Sequence, residues 1–171
     1  MSDKENNVYY QCRKKMGLTR EKAAELLEVL SEDRIERIEN GKAYANPYEV
    51  TVMAEKYKAA HLCNYYCANE CEIGKIYVPE VKTKELSQIT LETLASLNSI
   101  VQKKDRLIEI TVDGKITGDE LRDFVIIKNE LDKISQTIDS LKLWVAHMKA
   151  SGAIDEQEYE RIKNELKNGN Y

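Results

Sequence analysis

Helix-boundary signals crowd residues 17–49 so closely that each helix there has room for only two or three turns. Gly17 suits the left-handed residue that closes a first helix, and Thr19 suits the cap of a second. Gly41 closes a further helix. Asn46-Pro47-Tyr48-Glu49 then combines a cap, a proline at the first helical position and a carboxylate three residues after the cap. Apolar residues between these marks recur at helical spacing: Val8, Cys12 and Met16, then Ala23, Ala24 and Leu27, then Ile35 and Ile38, then Val50, Met53, Ala54 and Tyr57. A fifth short helix is expected from about Ala60, carrying Leu62, Tyr66 and Cys67. With only two prolines and seven glycines in 171 residues, the rest of the chain is also expected to be helical.

These residues, with Leu18-Thr19-Arg20-Glu21-Lys22-Ala23-Ala24 and Ile35-Glu36-Arg37-Ile38-Glu39-Asn40-Gly41 at their centre, resemble the core of the lambda-repressor-like (xenobiotic-response-element type) helix-turn-helix family. The resemblance implies a five-helix domain over residues 1–72 that binds double-stranded DNA, with helix 31–39 as the reading element. Arg20, Lys22, Arg34, Arg37 and Lys42 would then hold phosphates, and Glu32 or Asp33 would take part in base readout, where a carboxylate can accept from cytosine. The segment Leu62-Cys63-Asn64-Tyr65-Tyr66-Cys67-Ala68-Asn69-Glu70-Cys71-Glu72-Ile73-Gly74 further resembles helix-turn-helix proteins of anaerobic Gram-positive bacteria and their mobile elements.

Two features separate the chain from the family pattern. Leu27 is followed by Glu28-Val29-Leu30-Ser31, one residue longer than the usual turn and lacking its glycine. The helix after Ser31 carries Glu32, Asp33, Glu36 and Glu39 beside Arg34 and Arg37 on its polar side. Nor is either half of the chain basic: residues 1–82 hold 13 Lys and Arg against 14 Asp and Glu, and the remainder 13 against 16. Duplex DNA is usually met by concentrated positive charge, because counterion release supplies much of the affinity. Any such patch is local, drawn from Arg13, Lys14, Lys15, Arg20, Lys22, Arg34, Arg37 and Lys42. A second reading therefore stands beside the regulator: an acidic protein-binding module on the same scaffold, directed at a basic nucleic-acid-binding protein in the manner of an anti-repressor or anti-CRISPR inhibitor.

Residues 73–83 read as a linker that docks on a domain, because a short apolar run is broken by Gly74 and Pro79. Beyond it, Leu86, Ile89, Leu94, Leu97, Ile100, Val101, Leu107 and Ile108 form one heptad-like stripe. Leu121, Phe124, Val125, Ile127, Leu131, Ile134, Ile138, Leu141, Val145 and Met148 form a second. With Ile154, Tyr159, Ile162 and Leu166 they predict an antiparallel helical hairpin or three-helix, coiled-coil-like domain over 84–171, a means of homodimerisation. The fold class is all-α. The joints 113–120 and 151–158 share glycine, an isoleucine two residues on, then a capping pair: Thr117 with Glu120, Asp155 with Glu158. The first does not fit a calcium loop, whose early ligand positions would fall on Glu109 and Thr111 and whose seventh on Lys115.

Cys63, Cys67 and Cys71 repeat every four residues. On a continuous helix adjacent thiols lie about 6 Å apart along the axis and the outer two about 12 Å, so one ion could collect all three only if the helix broke before Cys71. The resembled fold packs its first helix on its last, which makes Cys12 the fourth ligand candidate for a structural zinc or iron–sulfur cluster. The alternatives are buried structural thiols and a disulfide, the last disfavoured in a reducing compartment. No apolar run approaches the roughly 18 residues of a membrane span, and the N-terminus has no signal-peptide character, so a cytoplasmic protein with no membrane partner is expected. No phosphate loop, nucleophile elbow or metalloprotease motif occurs. His61 and His147 are expected in different domains, and the chain is not expected to be an enzyme.

Overall fold

The computed structural model describes residues 6–112 and 114–168; Asp113 of the first joint lies outside them. All regular structure in these residues is α-helical: α1 (Val8–Lys15), α2 (Arg20–Leu27), α3 (Glu32–Glu39), α4 (Pro47–Lys56), α5 (His61–Asn69), α6 (Gly74–Tyr77), α7 (Leu86–Thr111), α8 (Asp119–Ser151) and α9 (Glu156–Lys167). They divide into two compact units, one within Met1–Val81 and Val145–Tyr171, the other Lys82–Trp144. The division differs from a single C-terminal domain over 84–171, since the end of α8 and all of α9 group with the N-terminal helices. His61 and His147 consequently fall in the same unit, against expectation.

Local chemistry accounts for the short helices. Asn7, Thr19, Ser31 and Asn46 each accept a backbone N–H of the first turn through the side chain, and Asn46 with Glu49 closes a reciprocal capping box. Gly17 and Gly41 take φ of +70° and +68°. In the longer turn after α2, Glu28 occupies the left-handed region at φ 61°, a conformation that glycine adopts at lower cost.

The core of the first unit gathers Leu27, Leu30, Ile35, Ile38, Val50, Met53, Tyr57 and Leu62 around the small Ala23. Met16 is not part of it. The helix stops at Lys15, so Met16 lies in the closing turn, 39% exposed, and Tyr9 fills the inner face instead, its ring edge-on to Tyr65. Segment 73–81 folds back on α5: Asn64 donates to the Pro79 carbonyl at 3.1 Å and accepts from the Val81 amide at 2.8 Å. The approach is closest at Gly74, where a Cβ would stand 1.9 Å from the Cys67 carbonyl oxygen.

In the second unit, Ile89, Thr93, Ser96, Ile100, Lys103, Leu107 and Ile110 recur at alternating steps of four and three along α7, and all are buried or half-buried. Arg106 Nε donates to Asp123 Oδ2 of α8 at 2.7 Å. Lys133, with Ser99 and Lys103 from α7, holds the Glu130 carboxyl below the usual carboxylate range. The expected stripes are wider than what is packed: Leu94, Leu97, Val101 and Ile108 on α7, and Leu121, Val125, Leu131, Ile138 and Leu141 on α8, are all more than 40% exposed. The seven-residue repeat closes only one seam, and the apolar residues beside it stay substantially exposed.

At the joint before α9, Gly152 has φ +77° and Asp155 caps Glu158; before α8, the Thr117 amide donates to Glu120. Lys149 binds Glu156 and Glu160 and lies 5.0 Å from the centre of the Tyr159 ring. Among the described residues no helix is long and apolar enough to cross a membrane.

Gly74→Ala tests the docking of α6. The added methyl meets backbone rather than a yielding side chain, so a loss of about 1–3 kcal/mol in stability is expected, read as a lower urea midpoint.

Candidate nucleic-acid interface

The polar surface of the first unit is organised by a buried carboxylate. Glu39, at the end of α3, is 2% exposed. Arg13 of α1 reaches it with Nε to Oε1 at 2.5 Å and Nη2 to Oε2 at 2.8 Å, a two-pronged pair, and spends Nη1 on the Leu18 carbonyl at 2.6 Å. Arg20 of α2 adds Nε to Glu39 Oε2 at 2.9 Å and turns Nη1 to Glu36 at 2.7 Å. One carboxylate thus joins three helices and sets α3 against α1 and α2.

A second pair fixes the other side of α3. Arg34 donates through Nε and Nη2 to both oxygens of Glu49, each at 2.8 Å, and through Nη2 to the Tyr44 carbonyl. Glu49 also accepts from the Asn46 amide. The Arg34 hydrogen bonds, more than the Asn46 amide, hold the Glu49 carboxyl below its ordinary value despite partial burial.

The residues expected to touch DNA therefore separate into two groups. Arg20 and Arg34 are engaged with carboxylates of their own unit. Lys22, Glu32, Asp33, Arg37 and Lys42 are exposed. Glu39, expected among the acids on the polar side of α3, is instead buried, and Arg13 is withdrawn from the basic surface. Both corrections have one cause: Tyr9 and Arg13, like Ile35 and Glu39, are four residues apart, so each charge shares its helix's inner face. A charged residue in phase with an apolar stripe was the available signal for the Arg13–Glu39 pair. Nothing local in the sequence pairs Arg34 with Glu49, fifteen positions away.

The four cysteines do not converge. All are free thiols, and among the described residues no three His, Cys, Asp or Glu side chains are placed to share an ion. The helix does break before Cys71, as a shared site would require, since α5 ends at Asn69. The break turns Cys71 Sγ toward the Gly74 amide at 3.4 Å. Cys12 Sγ lies 3.4 Å from His61 Nε2, and burial pushes the thiol up to about 11. Burial, then Lys15 and His147, lowers the affinity of His61 for a proton. The donor set does not fit a four-thiolate zinc or iron–sulfur centre in this arrangement.

Comparison with family models, with curated proteins and with solved structures returns no match.

Two measurements probe these pairs. Glu39→Gln leaves Arg13 buried without its counter-charge, and a loss of about 3–5 kcal/mol in unfolding free energy is expected. For Glu49, the folded carboxyl titrates below its usual 4.5, so its contribution is complete above that pH and disappears as pH falls through the lowered value. Stability should thus decline with acid over that window, and more gradually in Arg34→Met.

Proposed function

We propose that the N-terminal helices form a helix-turn-helix domain of the lambda-repressor-like type and that the protein is a DNA-binding regulator. In this reading the α2–α3 pair is the reading head. Lys22, Arg37 and Lys42 contact phosphates, Glu32 or Asp33 accepts from a cytosine amino group, and Arg20 and Arg34 hold α3 at its angle rather than clamping DNA themselves. The α7–α8 segment forms a helical hairpin that joins two copies of the chain and sets half-site spacing. The observation that carries the reading is the Arg13–Glu39–Arg20 junction, which fixes a short capped α3 against α2 with Lys22, Arg37 and Lys42 left on the surface.

One observation supports the second reading, an acidic module bound to a basic nucleic-acid-binding protein. With Arg20 and Arg34 neutralised internally, the free charges of α3 include Glu32 and Asp33, which would meet phosphates unfavourably.

A gel-shift titration with random duplex DNA across a salt series distinguishes the two. The regulator reading requires binding at low salt, and the slope of log affinity against log salt should shrink by about 0.9 for each phosphate contact removed in Lys22→Ala, Arg37→Ala and Lys42→Ala. Absence of a shift at low salt, with the helical circular dichroism intact, would overturn it and leave the protein-binding reading. Arg20→Ala and Arg34→Ala are unsuitable probes, because each also breaks an ion pair within the fold.

A further inference from the structure

α7, with Val112 at its C-cap, carries a second seven-residue repeat on a face distinct from its packed seam. Leu91, Leu94, Val101, Ile108 and Val112 are 68%, 53%, 68%, 57% and 80% exposed. Asn98 and Asp105 complete the series, so that the steps from 91 to 112 run three, four, three, four, three, four. This is the spacing at which a helix presents one continuous stripe to another helix, here about 32 Å long. The stripe lies entirely within the second unit.

Its order is the same from either end: two apolar residues, a polar one, Val101, a polar one, two apolar residues. A two-fold interface has that property, because if one residue meets another, the second must also meet the first. We propose that this stripe is the interface of a homodimer, with two copies of α7 lying antiparallel about a two-fold axis at Val101. Leu94 then packs on the partner's Ile108, Leu91 on the partner's Val112, and Val101 on its own counterpart. The Asn98 amide donates to the carboxylate of the partner's Asp105 on each side of the axis. Asp105 decides the orientation. It has Lys104 Nζ 3.7 Å away on its own exposed surface. A parallel, in-register pair would press two Asp105 carboxylates together in an apolar seam, whereas the antiparallel pair gives each an amide donor. An unrelated partner would impose no such symmetry on the order of the residues. The proposal supplies a surface for the homodimer of the regulator reading, but it does not depend on DNA.

The test is sedimentation equilibrium on the full chain, with far-UV circular dichroism as the control for folding. The expected mass is twice 19.7 kDa. Leu94→Glu and Ile108→Lys should each raise the dimer dissociation constant by about tenfold or more while leaving helicity unchanged, since both sites are more than half exposed. The double variant should recover most of that loss, because each introduced glutamate meets the lysine of the other copy. The same two positions are fourteen residues apart on one helix, about 21 Å, and cannot pair within a chain. A wild-type chain that is monomeric at about 100 µM overturns the proposal, as does a dimer insensitive to both single variants. A double variant weaker than either single one overturns the antiparallel arrangement. A negative gel shift with an intact dimer would refute the regulator reading alone, and DNA binding by a monomer would refute this one alone.

Discussion

The Glu39 carboxylate is the point on which the N-terminal unit turns. A buried charge is tolerated only when its hydrogen-bonding capacity is filled, and Glu39 meets that condition with Arg13 from one helix and Arg20 from another. Hydrophobic packing of Ile35 and Ile38 of α3 against Leu27 and Met53 supplies burial, but apolar contact by itself is not directional. Two arginines converging on one carboxylate are directional, so α3 has a single register against α1 and α2. Arg34 and Glu49 do the same on its far side, where Glu49 also completes the cap of α4.

This arrangement bears directly on how charge on α3 is to be read. A count of arginines and acids along 31–42 treats each as surface charge, yet Glu39 is buried, and Arg20, Arg34 and Glu49 are spent within the unit. Among the residues expected to touch DNA, those that remain outward are a small mixed set, Lys22, Glu32, Asp33, Arg37 and Lys42, beside an exposed Glu36 that pairs with Arg20. The net electrostatic character of the candidate interface thus depends on which side chains stay outward rather than on the composition of the segment, and both functional readings draw on them.

In the second unit the governing constraint is geometric. A helix with a seven-residue repeat can bury one stripe against one neighbour, and α7 carries two. Ile89, Ile100 and Leu107 were legible in the sequence as part of a seam, but so were Leu94, Val101 and Ile108, and a periodicity of this kind cannot say which stripe faces α8; Ile110, fully buried, was not singled out. The cysteines show the same boundary of inference. Their four-residue spacing and the need for a helix break were readable, and the break is present. Where each thiol then points follows from α6 docking at Gly74 and from His61 lying against Cys12, contacts between segments that no spacing records.

Helix ends, and the residues that close them, were determined by the sequence itself, because caps, left-handed glycines and a proline at the first helical position act within three or four residues of backbone. Thr19, Ser31, Asn46 and Asp155 cap as their positions dictate. Helical class and the inner faces of α2, α3 and α4 followed from periodicity for the same local reason. Only the tertiary structure decided which charges are consumed inside the fold, that His61 and His147 share a unit, and which apolar stripe of α7 is left outward. Those outcomes depend on which distant segments meet, and a long-range pairing is set by the packing of the whole unit rather than by the residues beside either partner.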